Sequence, residues 1–169
     1  MTITDNQIND KYESGTNRLI TEKTGVFPAV LLDDDRGEPI RYANLEIDSN
    51  WSSFWDKTMQ SRLIESLIIN IPIQPIILYQ KVEDKLYEVI DGQERLEAIK
   101  KFFSHELTLT GLQAYPELDG RSYFNLPHAI KDKLSKKRIE FITLFPMNKN
   151  LKEDELEKLI KAAKDRLTR

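Results

Sequence analysis

The chain has 169 residues, 40% hydrophobic and 31% charged, with no cysteine and a formal net charge of −3. Those values fit one globular domain large enough to bury a core, and they exclude disulfides, thiolate chemistry and a uniformly basic nucleic-acid surface. No apolar run approaches the roughly 18 residues of a membrane span, there is no basic-then-apolar leader, and His105 and His128 lack ligand-spaced neighbours for zinc, so a cytoplasmic protein without a membrane partner is expected.

Residues 1–24 are polar and read as a flexible N-terminal arm, followed by a single domain over residues 25–169. Val26 to Leu32 is a short apolar run that meets Asp33-Asp34-Asp35-Arg36-Gly37. Three adjacent aspartates lack the alternating spacing of a calcium loop, so a solvated hairpin turn is expected there. Ser53-Phe54-Trp55-Asp56 fits a helix capping box, with Trp51 placed as a hydrophobic staple. Trp55, Met59, Leu63, Ile64, Leu67 and Ile68 then form the apolar stripe of an amphipathic helix. Pro72 and Pro75 stop it and force extended backbone. Ile76 to Gln80 and Leu86 to Ile90 read as a hairpin turned at Glu83-Asp84.

A helix from Gln93 to Phe103 follows, with Leu96, Ala98, Ile99, Phe102 and Phe103 at helical spacing. His105 to Thr110 alternates as a strand that Gly111 breaks, and Leu118-Asp119-Gly120-Arg121 is a turn. Pro127 opens a short helix to Ser135, and Arg138 to Phe145 is a strand. Asn150 is the expected cap of a last helix over Leu151 to Leu167, buried along Leu156, Leu159, Ile160 and Ala163. Charge is uneven along this order. Residues 1–120 hold 12 Lys and Arg against 21 Asp and Glu, whereas residues 121–169 hold 13 against 7. The basic C-terminal third leaves contact with phosphates open, although solvated helix faces account for most individual lysines.

The most informative stretch is Tyr87-Glu88-Val89-Ile90-Asp91-Gly92-Gln93-Glu94-Arg95-Leu96, a strand, a tight turn and a helix start. Gly92 admits backbone conformations and close approaches that a β-carbon blocks. The helix start offers unpaired N–H groups and a positive dipole end, which suit an anion such as phosphate. Arg95 adds a guanidinium fork. Gln93 can orient a water or a phosphate oxygen, and Asp91 or Glu94 can hold magnesium or accept a proton. The ordinary alternative is that Asp91 caps the helix and that Glu94, Arg95 and Glu97 pair on its surface. A lone Asp-Gly-x-x-Arg is far less specific than a full phosphate-loop signature.

Val89-Ile90-Asp91-Gly92-Gln93-Glu94-Arg95-Leu96 closely resembles the DGQQR motif in the N-terminal domain of GmrSD-type restriction endonucleases, of the ParB/sulfiredoxin-like superfamily. Ser61-Arg62-Leu63-Ile64-Glu65-Ser66-Leu67 and Ile71-Pro72-Ile73-Gln74-Pro75-Ile76 are similar to that family's helix and its Pro-rich approach to a strand. Leu118-Asp119-Gly120-Arg121-Ser122-Tyr123-Phe124-Asn125-Leu126-Pro127 resembles its next segment. The resemblance covers roughly residues 40 to 145 and implies a compact α/β (α+β) domain, a small mixed sheet flanked by helices. It also implies binding or hydrolysis of a nucleoside triphosphate with Mg2+, coupled to restriction or phage-defence cleavage of DNA. Asp91, Gln93 and Arg95 are the implied catalytic residues. Asp91, Gly92, Gln93, Glu94 and Arg95 are the implied nucleotide-binding set, and no metal ligand set is defined.

Two departures qualify that implication. Glu94 stands where the family usually has a second glutamine, and a carboxylate beside a phosphate adds repulsion unless a metal lies between. Leu45 to Ser52 lacks the Gln-Arg pair that the family carries ahead of the first helix. These departures leave two alternatives to the nucleotide-binding reading, a non-enzymatic protein-interaction module and a DNA nickase. No His-Asn-His cluster occurs, so DNA cleavage is expected from this domain itself or from a separate nuclease subunit. Sulfiredoxin-like reduction is excluded by the absence of cysteine. A ParB-like clamp is not expected either, because no helix-turn-helix follows the motif.

Overall fold

A computed structural model describes residues 3–26, 28, 40, 44–47, 50–81 and 86–167. In chain order the elements are α1 Asp5–Glu13, β1 Leu19–Val26, β2 Leu45–Glu46, α2 Lys57–Ile68, β3 Ile76–Gln80, β4 Tyr87–Asp91, α3 Gln93–Phe103, α4 His128–Ser135, β5 Ile139–Pro146 and α5 Glu153–Leu167. The acidic turn at Asp33–Gly37, the hairpin turn at Glu83-Asp84 and Asp48-Ser49 lie outside the described residues, as does most of the Val26 to Leu32 run.

The strands form one mixed sheet in the order β1-β5-β3-β4-β2. β1 runs antiparallel to β5 and β3 antiparallel to β4, while β3–β5 and β2–β4 are parallel pairs. Successive side chains of a strand point to opposite faces, and both faces here are covered. Ile76, Leu78, Val89, Ile139 and Phe141 join Leu63, Ile64, Leu67, Leu96, Ile99 and Phe102 in the main core beneath α2 and α3. Ile77, Tyr79, Ile90, Ile142 and Leu144 meet Leu156, Ile160 and Ala163 of α5 in a second, smaller core. The result is the expected α/β class, a mixed sheet flanked by helices. The expected β3–β4 hairpin and the α3, α4 and β5 segments form close to their expected bounds.

Four local expectations are corrected. Residues 19–24, read as part of an arm, belong to β1, which pairs with β5 over its whole length. Only α1 ahead of it is loosely held: Thr4 and Gln7 form a capping box, but no α1 residue is buried. α2 starts at Lys57, because Asp56 rather than Ser53 is its cap, accepting from the Met59 N–H at 2.8 Å. Met59 is 47% exposed, so the stripe begins later than expected, while half-buried Trp55 does pack on the core. His105 to Thr110 forms no strand and pairs with none among the described residues. Leu107 and Leu109 are buried, and Leu109 instead exchanges backbone hydrogen bonds with Gly120 and Arg121. α5 begins at Glu153, and Asn150 lies in the turn before it.

Candidate functional site

β4 ends at Asp91, and α3 starts two residues later. The β3–β4 register shifts here: Ile77 faces Asp91 and Leu78 faces Val89, so Ile90 is the extra residue. Such a bulge redirects the side chains next to it. Gly92 is the N-cap of α3 with φ 98°, in the left-handed region that favours glycine. A β-carbon there would also lie 3.1 Å from the Ile76 Cα and 3.0 Å from Arg95 Nη2. The glycine is therefore required twice, for its conformation and for the closeness of β3. It supplies no side-chain cap, and the opening N–H groups of a helix have no intrahelical partner.

Arg95 reaches back across the turn. Its Nη2 donates to Asp91 Oδ2 at 2.8 Å and to the Pro75 carbonyl at 3.1 Å. The pair is well shielded, with side chains 13% and 23% exposed for Arg95 and Asp91. Asp91 is thus not the cap of α3 but the anchor of the guanidinium. Gln93 Nε2 and Arg95 Nε are buried N–H donors with no hydrogen-bond partner among the described residues. An unpaired buried donor costs about 1–3 kcal/mol, so this turn carries an unmet demand for acceptor oxygens.

Glu94 is employed differently. Its Oε2 accepts from Ser53 Oγ at 2.5 Å and its Oε1 from the Phe54 N–H at 2.6 Å. The carboxylate ties the approach to α2 onto α3, and these donors offset its charge. Of the five residues read from the sequence, Asp91, Gly92, Gln93 and Arg95 share one half-buried turn, while the Glu94 carboxylate engages the preceding segment.

Sequence reasoning gave no role to two buried polar residues of α2. Ser61 Oγ accepts from the Thr110 N–H at 3.1 Å. Glu65 accepts from three successive backbone N–H groups, those of Gln113 at 3.0 Å, Ala114 at 2.7 Å and Tyr115 at 2.9 Å. Burial pushes the Glu65 carboxyl up, but the three N–H bonds outweigh it and hold the group below its ordinary value. The only local signal was polarity beside an apolar stripe, which does not reveal a partner some fifty positions away.

Among the described residues no three His, Cys, Asp or Glu side chains gather as a metal-binding group, and no helix is long and apolar enough to cross a membrane. The architecture is thus a mixed α/β domain whose distinctive feature is a glycine-capped strand–turn–helix lined with nitrogen donors. Residues 52–168 match the family of the GmrSD restriction endonuclease N-terminal domain. The match spans most of the chain, and the protein belongs to that family, as the order of its motifs implied. No curated protein and no solved structure matches it.

Proposed function

We propose that the β4–α3 turn binds the phosphate chain of a nucleoside triphosphate, in a domain related to restriction endonucleases. The observation that supports this most is the pair of buried, unpartnered donors, Gln93 Nε2 and Arg95 Nε, beside an uncapped helix N-terminus. Phosphate oxygens are acceptors that satisfy both, and the helix dipole favours their charge. In this reading Asp91 sets the guanidinium, Arg95 and Gln93 donate to the phosphates, and Gly92 permits their approach. Hydrolysis would draw on Gln93 to orient the attacking water and on Asp91 to accept its proton. Magnesium would arrive with the nucleotide and screen phosphate charge. The nucleotide-bound state is the form that engages DNA or a separate nuclease subunit.

A thermal-shift panel of ATP, GTP and CTP with magnesium tests this. Ligand at a hundred times Kd adds about 2.7 kcal/mol, or roughly 5–10 °C in Tm for a domain of this size. The shift is expected for at least one triphosphate and is lost in Gln93→Ala. That variant without ligand should be no less stable than the parent, because it removes an unsatisfied buried donor. No shift with any triphosphate would sink the proposal.

One observation favours a second reading, a non-enzymatic interaction module. Arg95 already spends Nη2 on Asp91 and Pro75, and Glu94 holds Ser53 and Phe54, as purely structural residues do. That reading expects the same panel to leave Tm unchanged. The nickase alternative expects metal-dependent relaxation of supercoiled plasmid that disappears in Arg95→Ala.

A further inference from the structure

A cleft of about 580 Å³ lies between the C-terminal end of α2, the loop around Tyr115 and α4. That volume falls within the roughly 300–1,000 Å³ typical of sites for small organic groups. Part of its lining is apolar, from Ile68, Ile130 and Leu134. Lys133, Lys136 and Lys137 also line it, and no acidic residue does. Asp132 engages Lys136 at 2.7 Å from within α4, and Lys137 donates to Asn70 Oδ1. Lys133 has no carboxylate partner among the described residues. Residues 131–138 carry five Lys or Arg against one Asp, in a chain whose net charge is −3.

The other wall is Tyr115, a residue 45% exposed. Its position is not left to a mobile loop. Buried Glu65 receives the N–H groups of Gln113, Ala114 and Tyr115, and Asp119 receives those of Gly111 and Leu112. A fixed, exposed aromatic beside three lysines, of which only Lys136 is paired with a carboxylate among the described residues, is the combination that holds a base by its face and a backbone by its charge.

We propose that this cleft binds a single-stranded nucleic acid segment, one base stacked on Tyr115 and the adjoining phosphates paired with Lys133, Lys136 and Lys137. The proposal does not depend on the β4–α3 turn and stands or falls separately from it. A peptide partner would need acidic groups to meet the same lysines and gains nothing specific from the tyrosine face.

Fluorescence anisotropy of the full chain with fluorescein-labelled dT12 at low salt tests it, with rU12 in parallel to assign the sugar. Tyr115→Ala keeps the backbone N–H that bonds Glu65 and is expected to lower affinity about tenfold. Tyr115→Phe should bind as the parent does. Lys133→Ala with Lys136→Ala should weaken binding and reduce the slope of log K against log salt by roughly 0.7 per phosphate contact removed. An unchanged Tm checks that each variant is folded. Absence of binding by the parent to both strands, full binding by Tyr115→Ala or by the Lys133→Ala/Lys136→Ala variant, or tighter binding of a duplex than of dT12 would each overturn the proposal.

Discussion

The Glu94 carboxylate sits beside Arg95 in sequence yet bonds Ser53 and Phe54, separated from it by 41 and 40 positions. Its chemistry at this position is that of a fastener. A glutamine, the residue the family motif usually carries here, keeps one carbonyl oxygen for the Phe54 N–H, and the Ser53 hydroxyl can turn to accept from the amide. Glu94→Gln is therefore expected to cost under about 1 kcal/mol, and Glu94→Ala about 1–2 kcal/mol because the Phe54 N–H loses its acceptor and the Ser53 hydroxyl keeps only the Trp55 carbonyl at 3.4 Å. Urea denaturation of the two variants reads the difference; equal losses would mean that the hydrogen bonds at this residue do not stabilise the fold. The turn around Glu94 was legible in the sequence because a β-branched run, Asp-Gly and a helical period are all local signals. Glu94's partners were not, because they are set by how α2's approach packs against α3, and no local pattern encodes that.

Among the elements, α2 does more than bury an apolar stripe. Ser61 and Glu65, one turn apart, present two acceptors to the extended segment that follows α3. This explains why residues 105–110 form no strand although they alternate. Leu107 and Leu109 still find the core, but the Thr110 N–H goes to Ser61 rather than to a ladder. The Glu65 anchor gives the domain a specific acid response. The folded-state pKa of Glu65 is lowered from 4.5, so the unfolded chain takes up the proton first as pH falls. Its stabilisation is complete above pH 4.5 and is lost as pH drops through the lower folded value. Glu65→Gln removes that titration and turns an amide N–H₂ toward the N–H donors, at a cost of roughly 1–3 kcal/mol near neutrality. Melting curves at pH 7 and pH 3 should show a smaller acid-induced drop in Tm for the variant than for the parent. Parallel drops would mean that Glu65 does not titrate with unfolding.

Over the whole molecule, the sheet's far edge decides what counts as the domain. Half of the β1 residues are exposed, and its middle, Thr21 to Thr24, is polar, so its sequence resembles an arm more than a strand. Edge strands need satisfy only one neighbour, and their apolar signal is correspondingly weak. The structure separates this edge from what precedes it. α1 buries nothing and is held to the chain after it by Arg18, which lies over the Tyr12 ring at 4.0 Å and bonds its carbonyl. β1, by contrast, pairs with β5 from Leu19–Pro146 to Val26–Ile139, and Val26 is fully buried in the main core. A chain beginning at Ser14 is therefore expected to melt within about 1–2 °C of the parent, because loss of an unburied surface element falls within about 0.5 kcal/mol. A chain beginning after Val26 loses the whole β5 ladder on that side and a filled core position, and it should no longer unfold cooperatively. Thermal melts of the two truncations followed by circular dichroism decide between them. A several-degree loss in the shorter truncation would place α1 inside the cooperative unit, and a sharp melt after removal of β1 would show that β5 can serve as the edge of the sheet.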